Sequence, residues 1–285
     1  MRWRHWIRVL GSALSVSLAP MSPAVGAATP PCYVFDLPVQ VASIETRNLW
    51  TPLLAELALR SGVCLRAHSP DDFSSAESRL ASGSPDFAIA LPTSLFRLQK
   101  ERSYTPIVTS GRLIRAMLVV RRDSPLTDLA ALRRASPIRL GVADGKGLML
   151  SAVPQQMLWR DGTRCRVSEF SSLANVLRAV LVGDVEVGVT TDSVLLLGRP
   201  ELAVGLRPIW VSEPFLAPPV VVHPRVPKAV GEALQSAIID LQSDAAGRQL
   251  LRQVRFPEPR PTTLKEYRAE LHRLRFTGPV CAQSS

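Results

Sequence analysis

The chain has 285 residues, 34 Lys+Arg against 24 Asp+Glu, a formal net charge of +10, and 46% hydrophobic but only 6% aromatic residues. That is length for one large or two modest domains. The basic side chains are scattered arginines rather than a stripe interleaved with aromatics, which excludes a nucleic-acid surface and favours a solvated face with a mild bias towards anions.

The first element in chain order is a leader. Arg2, Arg4 and Arg8 precede the short apolar stretch Val9–Ala19, and Val25-Gly26-Ala27 offers small residues for cleavage. This pattern predicts a secretory signal peptide over 1–27, since the apolar run is too short to span a bilayer. About 258 residues then remain in the mature chain, with only four lysines: Lys100, Lys146, Lys228 and Lys265. Thr29-Pro30-Pro31 before Cys32 is not a lipidation signal, and no later segment is long and uncharged enough to cross a membrane.

Strands then alternate with helices. Cys32–Ala42 reads as a strand, and Ser43–Arg60 as a helix with Leu49, Leu53, Leu54 and Leu57 on one face and Gly62 past its end. Val63–Ala67 is a strand, Asp71–Leu80 a helix capped by aspartates and stopped near Gly83, and Asp86–Leu91 a strand. The order begins again with strands at Ala116–Arg121, Ile138–Ala143, Arg164–Phe170 and Val185–Thr190. Helices at Leu126–Arg133, Leu148–Trp159 and Leu173–Val182 lie between them. The tail is helical over Ala229–Leu241, Ala245–Val254 and Thr263–Leu274. Such alternation predicts parallel sheets with right-handed crossovers, and two sets of it predict two lobes.

All four cysteines, Cys32, Cys64, Cys165 and Cys281, follow the leader. An even count in an exported chain favours disulfides, and none of the spacings is that of a zinc site. Cys32 and Cys64 belong to strands that would be neighbours, which favours Cys32–Cys64 and Cys165–Cys281, although four cysteines allow three pairings.

Several short motifs, taken in order, resemble the type II periplasmic solute-binding proteins, in particular the phosphate, phosphite and phosphonate ABC transporter branch. They are Trp50-Thr51-Pro52-Leu53 with Ser61-Gly62, and Gly83 with Asp86-Phe87-Ala88-Ile89 and Leu91-Pro92. Val119-Val120-Arg121-Arg122-Asp123-Ser124 with Asp128-Leu129 follows, and then Val176-Leu177-Arg178-Ala179-Val180 with Gly183-Asp184-Val185-Glu186-Val187-Gly188. The resemblance implies an α/β clamp of two lobes, each a mostly parallel sheet flanked by helices. Lobe one would hold 28–114 and 220–285, and lobe two 115–219 with the hinge crossings. It further implies a monomer that closes on a small solute and delivers it to a membrane permease, with no cofactor, metal or catalysis. The histidines left after the leader, His68, His223 and His272, stand in no catalytic or metal-binding context.

The site should lie in the cleft. The turn Asp144-Gly145-Lys146-Gly147 ends a strand and opens a helix, which brings backbone N–H groups, a positive helix end and a lysine to one point. It reads equally as a plain turn with a solvated lysine. Asp144 would oppose an anion unless it pairs with Lys146 or with the amine of a zwitterion. The phosphonate binders carry Ser-Thr-Ser-Gly here and a histidine at the position of Leu173; both are absent, and Phe96 replaces a tyrosine. Ser171 and Ser172 suit a helix cap, a ligand contact, or both. Thr190, Thr191 and Asp192 end a strand where open α/β sheets place ligands, or cap the following helix. Ser43, Thr93 and Ser94 follow lobe-one strands with the same ambiguity. Arg112 and Arg115 flank the first crossing, suited to an acid or to an interlobe salt bridge. Two functions follow: a receptor delivering a phosphonate-like oxyanion or other small acid to an ABC permease, or an exported sensor or accessory subunit docking on a histidine kinase or redox enzyme.

Overall fold

The alternation of strands and helices resolves into two six-stranded sheets. The structure is a computed structural model describing residues 31–39, 43–97, 104–143, 149–197, 200–274 and 282–283. The leader over 1–27, the turn Asp144–Gly147 and Cys281 lie outside the described residues.

Lobe one begins with β1 (Tyr33–Asp36), α1 (Ser43–Ser61), β2 (Leu65–His68), α2 (Phe73–Ser82), β3 (Phe87–Ile89), α3 (Pro92–Arg97) and β4 (Thr105–Ser110). The chain crosses to lobe two for β5 (Ala116–Arg121), α4 (Leu129–Ala135), β6 (Ile138–Ala143), α5 (Met149–Arg160), β7 (Cys165–Phe170) and α6 (Leu173–Val182). That lobe continues with β8 (Val187–Thr191), α7 (Asp192–Leu197), α8 (Pro200–Ala203) and β9 (Leu206–Val211). It returns for β10 (Val220–Val222), α9 (Lys228–Asp240), α10 (Ala245–Gln253), β11 (Pro259–Pro261) and α11 (Leu264–Leu274), and finishes in β12 (Ala282–Gln283).

The sheet orders are β11-β4-β10-β3-β1-β2 and β12-β7-β6-β8-β5-β9. Each has a parallel part built by βαβ crossovers, β3-β1-β2 in one and β7-β6-β8 in the other, where β12 adds in parallel beside β7. Each also has an antiparallel part, supplied by the strands next to the lobe crossings: β10 runs against both β3 and β4, and β5 against both β8 and β9. Strand β10 returns from lobe two and β5 enters it, and each lies between two strands that run the other way. Both sheets are therefore mixed.

Local chemistry sets the helix ends. Asp72 accepts from the Ser75 N–H at 2.7 Å while Ser75 Oγ accepts from the Asp72 N–H at 3.2 Å, a reciprocal cap that starts α2. Gly83 stops it at φ 70°. Helix α6 is capped by Ser172 and stopped by Gly183 at φ 85°, and buries Leu173, Val176, Leu177 and Val180 against the lobe-two sheet. It comes close because Gly188 has no side chain: a Cβ there would lie 2.7 Å from Val180 Cγ2 and 3.0 Å from Val176 Cγ1. Strand β5 is an apolar run buried from Ala116 to Val120, as a central strand covered on both faces requires. In lobe one, Phe35, Leu53, Leu57, Phe87, Leu234 and Ile238 join β1, α1, β3 and α9 in a single cluster.

Cys32 and Cys64 form a disulfide beside the β1–β2 pair, where the Tyr33 N–H also donates to the Cys64 carbonyl at 2.8 Å. Cys165 is likewise disulfide-bonded. Strand β12 pairs in parallel with β7, Ala282 opposite Arg166. The chain end thus joins the lobe-two sheet, although residues 220–285 were expected to stay with lobe one.

Among the described residues, two segments join the lobes, 111–115 and 212–219. They pair antiparallel at their middles, where Ile114 and Phe215 exchange backbone hydrogen bonds of 2.9 Å each. Helix α11 lies against this junction: Glu270 Oε1 accepts from the Leu216 N–H at 3.0 Å, and Tyr267, fully buried, bonds to the Ala217 carbonyl.

Candidate functional site

The carboxyl ends of β1 and β3 in lobe one face those of β7 and β8 in lobe two, and a cavity of about 100 Å³ lies between them. That volume holds a small organic molecule. Its walls are apolar: Leu37, Val39, Trp50 and Phe73 from lobe one, Leu173 and Val194 from lobe two, and Phe256 from the loop after α10. Val39 and Phe73 share one buried cluster with Leu173, Val194 and Phe215, so the lobes meet through apolar side chains. Contact between the lobes therefore removes apolar surface from water, each fully buried aliphatic or aromatic side chain contributing about 1.5–3 kcal/mol.

Four polar or charged residues interrupt these walls: Glu77, Thr191, Ser193 and Arg255. Glu77, on α2, accepts a hydrogen bond from Ser94 Oγ. Its helix is fixed to the sheet two residues further on, where Arg79 Nε and Nη2 meet the Asp36 carboxylate at 2.7 and 3.0 Å. Arg255 follows α10 with φ 60°, a left-handed conformation costing a non-glycine residue roughly 1–2 kcal/mol. It is the cation among the described residues lining the cavity.

The residues expected from sequence divide. Ser172 Oγ accepts from the Asn175 N–H at 3.2 Å and caps α6, while Ser171 Oγ accepts from Asn175 Nδ2 at 2.9 Å. Thr191 Oγ1 accepts from the Val194 N–H at 3.2 Å, so this residue both caps α7 and lines the cavity. Asp192 Oδ1 accepts from the N–H groups of Arg115 and Ser193 at 3.1 and 2.8 Å, and its Oδ2 lies 3.6 Å from Arg112 Nη2. The acid thus anchors the first crossing to lobe two. Arg115 contributes its backbone to that anchor, and its side chain is exposed. Ser94 is buried on Glu77; Thr93 Oγ1 and Thr190 Oγ1 are buried with no hydrogen-bond partner among the described residues. Ser43 opens α1. Asp144, Gly145, Lys146 and Gly147 lie outside the described residues.

The family model described as ABC transporter, phosphonate, periplasmic substrate-binding protein matches residues 39–267, nearly the whole of both lobes. The chain belongs to this family. The phosphonate-binding family is periplasmic, and its members bind substrates for ABC transport rather than transform them. No curated protein matches the chain in sequence.

Solved structures give the same fold. A binding-protein component of an ABC phosphonate transporter from Pseudomonas aeruginosa superposes with a TM-score of 0.73 at 16% identity, over 86% of this chain and 95% of its own. PhnD1 from Prochlorococcus marinus in complex with methylphosphonate gives 0.75 at 13% identity, over 87% and 100%. An ancestral arginine-binding protein bound to arginine gives 0.58 at 16%, over 78% and 97%. At such identities the likeness concerns the fold, which is that of the type II periplasmic binding proteins.

Sequence reading of this phosphonate-family chain missed Glu77, Arg255 and the apolar walls. The walls come from segments far apart in the chain and have no local signature. Arg255 did leave a signal: the helix Ala245–Val254 ends without the glycine that stops others in this chain.

Proposed function

We propose that the protein captures a small organic acid, an organophosphonate or a comparable carboxylate or sulfonate, by closing its cleft, and delivers it to an ABC permease. The cavity supports this reading. A space of about 100 Å³ walled by Trp50, Phe73, Leu173 and Phe256 suits the apolar body of a solute. One guanidinium and one carboxylate among its lining residues match a mostly apolar molecule with a single acidic head better than free, multiply charged phosphate. Binding favours closure because the walls come from both lobes, so the full set of contacts exists only when the lobes meet.

A thermal-shift screen of the mature protein tests it, since a solute that binds only the folded chain raises its melting temperature. Alkyl- and arylphosphonates, sulfonates and carboxylates should raise it more than phosphate or phosphite at equal concentration. A larger shift with phosphate would overturn the organic-acid assignment. No shift with any of them would favour the second reading, an exported sensor or accessory subunit docking on a histidine kinase or redox enzyme.

A further inference from the structure

We propose that Arg255 holds the acidic head group of the solute; this rests on the reading of the cleft as an organic-acid site. The position is one that glycine suits best. After α10 the Phe256 N–H reaches back to the Leu251 carbonyl at 2.9 Å and the Val254 N–H to the Leu250 carbonyl at 3.2 Å, which winds Arg255 into the left-handed region at φ 60°. At the ends of four other helices, α1, α2, α5 and α6, the left-handed residue is a glycine: Gly62, Gly83, Gly162 and Gly183. Among the described residues, α10 is the helix whose left-handed end carries a long cationic side chain, and that end, unlike the four glycine ends, lines the cavity. The backbone strain is borne where a side chain is needed.

The neighbours of Arg255 fix it. Val254 and Phe256 on either side are buried in the lobe-one core, so the loop cannot swing away from the cleft. Three residues on, Glu258 also has a positive φ, 52°, and its carbonyl accepts from the Gly111 N–H at 2.8 Å, at the start of the first crossing. A Cβ at Gly111 would lie 2.7 Å from that same oxygen. The loop 255–258 therefore touches the cavity at one end and the hinge at the other. A guanidinium presents a planar fork of donors that matches the oxygens of a carboxylate or phosphonate in pairs, and apolar surroundings strengthen that contact.

The test compares Arg255→Gly and Arg255→Lys with the unmodified protein, using methylphosphonate, phenylphosphonate and benzoate as probes. Without a probe, Arg255→Gly should melt at the same temperature or higher, because glycine relieves the left-handed backbone. With a probe that shifts the unmodified protein, its affinity should fall at least tenfold by calorimetry, with Arg255→Lys in between. Equal affinity in Arg255→Gly and the unmodified protein overturns the role of Arg255 and leaves the organic-acid reading standing. A clear fall in the probe-free melting temperature of Arg255→Gly overturns it too, because the side chain would then be structural. If none of the probes shifts the unmodified protein, the organic-acid reading fails first and this assignment with it.

Discussion

The phenol of Tyr267 on the C-terminal helix donates to the carbonyl of Ala217 in the second lobe crossing at 2.6 Å. Thr109 Oγ1, from the end of β4 just before the first crossing, lies 2.9 Å from the same phenol and 3.2 Å from the same carbonyl. One fully buried side chain thus ties together the helix, the strand leaving lobe one and the strand returning to it.

Replacing Tyr267 with phenylalanine keeps the ring and removes the donor. The Ala217 carbonyl would keep only the longer bond from Thr109, at a cost of about 1 kcal/mol. Urea unfolding should show a lower midpoint at unchanged slope. An unchanged midpoint would mean that the bond does not hold the junction.

Gly188→Ala should be destabilising by about 1–3 kcal/mol, because the new methyl would meet Val180 Cγ2 at 2.7 Å in a packed core. Val180 is β-branched and cannot turn aside freely. Pairing the change with Val180→Ala should recover part of the loss. Failure of that recovery, measured in a double-mutant cycle, would contradict a direct clash.

Loss of the Cys32–Cys64 bond, through Cys32→Ala with Cys64→Ala, should cost about 3–4 kcal/mol by loop-closure entropy for a separation of 32 residues. Reductant should lower the melting temperature of the unmodified protein by at least as much as this double change does. A reductant effect smaller than that of the substitutions would show that the loss arises from packing rather than from the cross-link.

Stability should fall at both ends of the pH range. The hydrogen bond from Arg260, joined by one from Thr262, holds the Glu266 carboxyl below its ordinary 4.5. A depressed carboxyl stabilises the fold above the unfolded value, and that contribution is lost as pH falls through the lowered one. Burial raises the phenols of Tyr267 and Tyr104 above 10.0, so their contribution is full below that value and is lost as pH climbs beyond it. Melting temperature against pH should show both limbs, and Glu266→Gln should flatten the acid one.

Much of the fold was legible because local periodicity and tertiary structure agree. Ala116–Arg121, Ile138–Ala143 and Leu173–Val182 form over the expected residues, each an apolar strand or an amphipathic helix with its own stop signal. Strands β4, β10 and β11 were not legible. Pro106 breaks the pattern of the first, Val220–Val222 is three residues long, and Pro259–Pro261 is two-thirds proline. Pairing partners make them strands, not propensity.

The site was harder for a related reason. Ser172 and Thr191 were named from sequence because caps and ligand contacts share strand and helix ends, and the structure uses both as caps. Leu37, Phe73, Leu173 and Phe256 line one cavity from four distant segments, and only the folded chain brings them together.

The pairing of Ala282 with Arg166 has a practical consequence. The described chain starts at β1 in one lobe and finishes on a strand of the other, so its two ends ride on different halves of the clamp. Dyes attached just before Tyr33 and just after Gln283 would form a molecular ruler. Energy transfer between them would follow any rotation of one lobe against the other, solute by solute, without a label inside the cleft.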